Sequence, residues 1–338
     1  MSNLWNEVPE AEIFYEDVVK NLNNFLLFEK ESFSRINQAI LGTSNIDSQN
    51  EAFDISSLQG VVSYVKEKPM WLNVEHNPLF PPHGRIIAAK VFYAPESEIY
   101  FLAGVIGRYS EENFRKFKDF NIDFSKLEDS LPELDFLLIG DDVEISYNPH
   151  EIESKMIEDI LTDSPNIVSK KVKRSIRKEA DPITILTFFV SIFVLTNNPF
   201  SKKFLEKYGE KSAEASISFF TWLQKKVFKK FSEIYSERVL FEFISPYKNC
   251  TAKFVIASKD VAILCEASDT IYKASRSAVK LIDYLEETQP ETLVYQFNLE
   301  AKRWVPLYIS TQKEGVITDQ PYLIAIDQIT GLSLGGIQ

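Results

Sequence analysis

The sequence predicts an α+β protein, and three observations carry that reading. Apolar residues recur at helical spacing over 9–41, and short β-branched and aromatic runs bounded by Pro, Gly, Asn or Asp recur over 53–147 and again after 237. Between the two strand-rich parts lies a basic stretch that reads as helical. The expected layout is an N-terminal helix plus a small β-barrel-like domain, a central helical hairpin, and a C-terminal α+β domain with an antiparallel sheet. At 338 residues the chain exceeds a typical single core. Composition shifts place the expected boundaries at 1–48 (helical segment), 49–150 (barrel-like domain), 151–181 (helix and basic linker), 182–236 (hairpin) and 237–338 (α+β domain).

The first helix follows from Ile13, Phe14, Val18, Val19, Leu22, Phe25 and Leu26, with Gly42 as its stop. The runs PMWLNV, GRIIAAKVFYA, SEIYFLAGVIG and FLLIGDDVEISY then read as strands, interrupted by a helix opened by Ser110, Glu111 and Glu112. Pro149 suits the first turn of a helix through EIESKMIEDILTD, and SKKVKRSIRKEAD reads as a basic linker. RVLFEFIS, CTAKFVIAS, ETLVYQFNL, KRWVPLYIST and QPYLIAID read as the strands of the last domain, with a helix from Ser268 or Asp269 after the second. QFNLEAKRWVPL has the form of a hairpin turning near Glu300 and Ala301.

The central segment PITILTFFVSIFVLTNNPF holds an uncharged apolar core of 13 residues, 183–195. A bilayer core of ~30 Å asks for about 20 apolar residues in a helix. A buried helix, a short membrane helix and an interfacial segment therefore all stay open, with Phe188, Phe189 and Phe193 as candidate contacts. Lys170, Lys171, Lys173, Arg174, Arg177 and Lys178 precede it, as on a cytoplasmic flank. The following stretch reads as an amphipathic helix with Phe219 and Trp222 on its apolar side and Lys225 and Lys229 on its basic side, compatible with an anionic membrane or a solvated face.

Charge narrows the partners. Residues 1–168 carry 13 Lys+Arg against 30 Asp+Glu, whereas 169–230 carry 14 against 5. Nucleic acid is not expected at the acidic half, because phosphate binding needs the opposite field. The basic middle suits an anionic membrane, and a protein or peptide partner fits the multidomain layout. Two cysteines outside any CxxC pair give no disulfide framework or thiolate metal site. The N-terminus lacks a secretory pattern, so the expected location is cytoplasmic, with association at an inner membrane through the hairpin. No nucleotide, dinucleotide or zinc-protease motif occurs, and no cofactor is expected. Oligomeric state is left open.

All three histidines, His76, His83 and His150, fall within 49–150. They read either as ordinary turn histidines or as a three-ligand metal set, the latter without any spacing that fixes geometry. A third possibility comes from WLNVEHNPLFPPHGRIIAAKVFYA and its surroundings. The region 50–150 resembles the core of phage prohead proteases and, more remotely, herpesvirus assemblin. The resemblance rests on His76 in NVEHNP, Gly84-Arg85-Ile86 entering the next strand, and Ser146 in VEISYNP, 70 residues on. It implies a β-barrel serine protease in which His76 is general base, Ser146 nucleophile and His150 the orienting group. Tyr147, Asn148 and Pro149 depart from the small residues that commonly follow the family's serine. Taken whole, the chain looks like uncharacterised bacterial multidomain proteins. The first expectation is a non-enzymatic binding or scaffold protein; the alternative is a serine-protease-like enzyme.

Overall fold

The computed structural model describes residues 4–45, 52–73, 77–127, 143–174, 184–196, 210–237 and 239–320. The fold is α+β, and the chain forms two compact units, 1–119 with 310–338, and 120–309.

The first unit begins with helices α1 (Leu4–Glu7) and α2 (Pro9–Lys20), the latter with proline in its first turn. The helix expected over 9–41 ends at Lys20, since Asn21, Asn23 and Asn24 are weak helix formers. FSRINQAILGT instead forms strand β1 (Phe33–Thr43). Asp54 accepts a hydrogen bond from the Ser57 amide at 2.6 Å and so caps α3 (Ile55–Glu67). Strands β2 (Met70–Leu72), β3 (Gly84–Ala94) and β4 (Ile99–Tyr109) complete an antiparallel sheet of order β1-β4-β3-β2. Gly104 and Gly107 on β4 leave room for Leu41 and Phe33 from β1; a Cβ at either would collide.

Helices cover both faces of this sheet. Val18 of α2 packs with Ile87, Ala88 and Val105, while Leu58 of α3 packs with Ile86, Ala89 and Leu102. The barrel expected over 49–150 is thus corrected to an open, helix-sandwiched sheet; among the described residues no barrel closes. Alternation in β3 and β4 is masked because both faces are buried. The helix expected after Ser110 is replaced by short 3₁₀ turns around strand β5 (Phe114–Arg115).

The second unit is built on strands β6 (Val143–Tyr147), β7 (Val168–Arg174), β8 (Thr184–Phe189), β9 (Val239–Tyr247), β10 (Cys250–Ser258), β11 (Pro290–Asn298) and β12 (Arg303–Thr311). Their order is β12-β11-β10-β9-β8-β6-β7. The sheet is mixed, not purely antiparallel: β6–β7, β8–β9 and β10–β11 run parallel, and β6–β8 and β9–β10 antiparallel. Each parallel pair is joined by a crossover containing helix, as parallel geometry demands. Besides a single α-turn at Phe124–Leu127, the helices are α4 (Ser154–Thr162), α5 (Ile192–Thr196), α6 (Glu210–Trp222), a π-type stretch Leu223–Phe228, α7 (Lys229–Ile234) and α8 (Val261–Tyr284). Asp260 caps α8 through the Ala262 amide at 2.8 Å, eight residues before the expected start at Ser268.

Two further readings change here. The linker SKKVKR is strand β7, and the apolar segment expected as one helix of a hairpin is strand β8 followed by the short α5. TILTFF is rich in β-branched and aromatic residues, and a fully buried strand lacks the alternation that would have separated it from a helix. No helix among the described residues is long and apolar enough to cross a membrane. Over 239–311 strands β9 and β10, helix α8, and strands β11 and β12 follow the expected order. Asn298 accepts hydrogen bonds from the Glu300 and Ala301 amides in the expected hairpin turn. QPYLIAID lies outside the described residues but for Gln320; the last strand described is β13 (Gly315–Thr318), which pairs in parallel with β5 in the first unit.

Candidate functional site

Two regions of the second unit hold most of the residues singled out from the sequence. The first is one face of its sheet. Ser146 is the last but one residue of β6, opposite Thr187 on β8 and Lys173 on β7, and Thr187 lies opposite Glu242 on β9. In-register neighbours share a face, so Ser146, Thr187 and Glu242 form a polar row. Thr187 Oγ1 donates to Glu242 Oε2 at 3.1 Å, and Lys253 Nζ lies 3.1 Å from Glu242 Oε1. Glu242 is 5 % exposed, so this pairing offsets its desolvation. Burial and the Glu242 charge push the Tyr308 phenol up, away from ionisation. The Thr187 hydroxyl satisfies Oε2, whereas Oε1 has the Lys253 charge beside it but accepts no hydrogen bond among the described residues.

Ser146 is 8 % exposed and its strand is paired on both sides. His150 stands exposed in the turn after β6, its own amide bonded to Asn148 Oδ1 at 3.1 Å. His76 lies outside the described residues. His83 is half-buried in the first unit, where its amide donates to Leu72 O and its carbonyl accepts from the Tyr109 amide. No group of three metal-ligating side chains occurs among the described residues.

The second region is the helix running through 210–234. Its aromatic side is core: Phe219 packs edge-on to Phe188, which stacks on Phe243 at 5.2 Å, and Phe228 and Phe231 pack edge-on to Phe241. Phe188 and Phe219 are fully enclosed and Trp222 is 5 % exposed, its indole N–H donating to Ile160 O at 3.1 Å. Phe189 is half-buried at the end of β8 and Phe193 lies in α5. Gln224 fastens the helix to α8 through Ser268 and Asp269. The π-type turns widen the helix locally and keep Leu223, Val227 and Phe228 all directed inward. Lys225, Lys226 and Lys229 point outward and are exposed. Lys226 reaches Asp163 at 2.6 Å and, with its hydrogen bond, holds that carboxyl below the usual range.

Sequence reasoning missed the most buried charges. Glu31 and Arg85, 5 % and 2 % exposed, form a two-pronged ion pair at 2.7 and 2.8 Å in the first unit. Glu31 also accepts from the Leu27 amide and the Tyr109 hydroxyl, and Arg85 donates to Phe25 O. Every charged atom of the pair has a partner, which is the condition for burying it. Nothing local in the sequence links two residues 54 apart.

Scans against protein-family models, curated proteins and solved structures return no match to this chain.

Proposed function

We propose that the protein is a non-catalytic binding or scaffold protein that attaches peripherally to an anionic surface, a membrane bearing acidic lipids, through the outward lysines of the helix at 210–234. The observation that carries this reading is the division of that helix: its aromatic side is spent on the sheet, and Lys225, Lys226 and Lys229 are exposed. Attachment of this kind is electrostatic and surface-bound, because no aromatic of the apolar side is left to enter the acyl region. The excess of cations over 169–230 acts in the same direction.

The test is sedimentation of the full chain with vesicles of phosphatidylcholine alone and with added phosphatidylserine. Binding is expected only with the acidic lipid and is expected to weaken with salt. At roughly 1 kcal/mol per lysine near the surface, neutralising Lys225 and Lys229 together by alanine weakens partition by about thirtyfold. Equal binding to both vesicles, or no loss in the double variant, contradicts the reading.

A further inference from the structure

Strand β1 bounds the first unit's sheet: it pairs with β4 along its length, and among the described residues no strand pairs with its other edge. Burial marks that edge. From 36 to 43 every residue is half-buried whichever face its side chain takes, as in a strand covered on both faces and open along its backbone. The two ends of the stretch are engaged, Ile36 O by the Tyr15 hydroxyl at 3.2 Å and Thr43 O by the Phe53 amide at 3.3 Å.

Proteins blunt such edges with lysine, proline or brevity. This chain does so elsewhere: the edge strand β7 reads VSKKVKR, and the edge strand β2 has three residues. INQAILGT, over 36–43, carries neither charge nor proline. At its centre the Gln38 Oε1 atom is buried with no hydrogen-bond donor among the described residues, a costly state for an amide oxygen.

We propose that β1 is the interface of a two-fold homodimer, formed by antiparallel pairing of β1 with β1 of a second copy about Gln38. In that register Gln38 faces Gln38, Asn37 faces Ala39 and Ile36 faces Ile40, while Arg35 lies beside Leu41, so no like charges meet. A side-chain rotation lets each carboxamide donate to the other's Oε1. Ile36 and Ile40 already pack against the clusters around α2, and the pairing continues those clusters across the axis. The register irregularities between Phe33 and Arg35 and between Ile40 and Gly42 flank the paired core, 36–40, and the Tyr15 hydroxyl must leave the Ile36 carbonyl or share it for that carbonyl to accept across the axis. Such an interface is self-complementary and closed.

Sedimentation equilibrium of the full chain tests this, with an expected mass of twice 38.9 kDa. Gln38→Lys sets ammonium against ammonium at the axis and is expected to raise the dissociation constant at least about tenfold. Gln38→Cys, with Cys250 and Cys265 replaced by alanine, is expected to give a covalent dimer on oxidation, since only pairing centred on residue 38 brings the two thiols within disulfide reach. If Gln38→Lys loses its fold by circular dichroism, the cross-link decides alone. A wild-type monomer at every concentration overturns the proposal and leaves the edge to an extended peptide or to a neighbouring segment of the same chain. A dimer that survives in folded Gln38→Lys, or that yields no cross-link, overturns it in favour of another surface.

Discussion

Cys250 opens β10 with its thiol enclosed, and burial, reinforced by the Glu291 charge, pushes it up to about 12. A raised pKa leaves the thiolate, the reactive form, at roughly one part in ten thousand at pH 8. Native protein treated with a maleimide at that pH is therefore expected to label at most Cys265, which is half-buried; Cys250 reacts only after denaturation. Mass mapping showing native modification of Cys250 contradicts this placement. Ser146 gives a second test at the same scale. As a member of the polar row, it is expected to resist a serine-directed phosphonate, and Ser146→Ala is expected to leave vesicle binding unchanged. Covalent labelling abolished by that substitution would return the hydrolase reading. Ser146 was legible in the sequence as a polar residue on a strand, but its row was not: Thr187 comes to lie opposite it, and Glu242 opposite Thr187, only through sheet order, which no local pattern encodes.

At the scale of elements, the buried Glu31–Arg85 pair anchors the segment before β1 to β3. Removing one partner leaves an uncompensated buried charge, so Glu31→Ala is expected to cost about 3–5 kcal/mol in chemical denaturation, whereas an exposed pair such as Lys302–Glu266 contributes under about 1 kcal/mol. Equal losses at the two sites would show that the pair is not buried as described. The elements that were legible had local signals: Pro9 in the first turn of α2, Asn298 in the hairpin turn, and alternating strands in the last domain. Those misread lacked one. Ile36, Ile40 and Leu41 satisfy helical spacing as well as they satisfy a strand. TILTFF in β8 is uncharged and buried on both faces through its middle because it lies inside the sheet, so its period was hidden and a membrane helix remained open.

For the whole molecule, the charge asymmetry and the lysine-faced helix belong to one account, attachment without insertion. Residues 1–168 carry the acidic excess, and the cations of 169–230 supply an opposite field. The fold also explains why composition alone suggested a deeper membrane contact: Phe188, Phe219 and Trp222 look like an embedding surface in sequence and are the second unit's core in space. The most direct test combines binding with depth. The full chain is bound to phosphatidylserine-containing vesicles whose phosphatidylcholine carries brominated acyl chains, and tryptophan fluorescence is read before and after high salt. The account predicts sedimentation with the vesicles, little quenching, and release by salt. Strong quenching that salt does not reverse would place the aromatic side of the helix in the acyl region and contradict it.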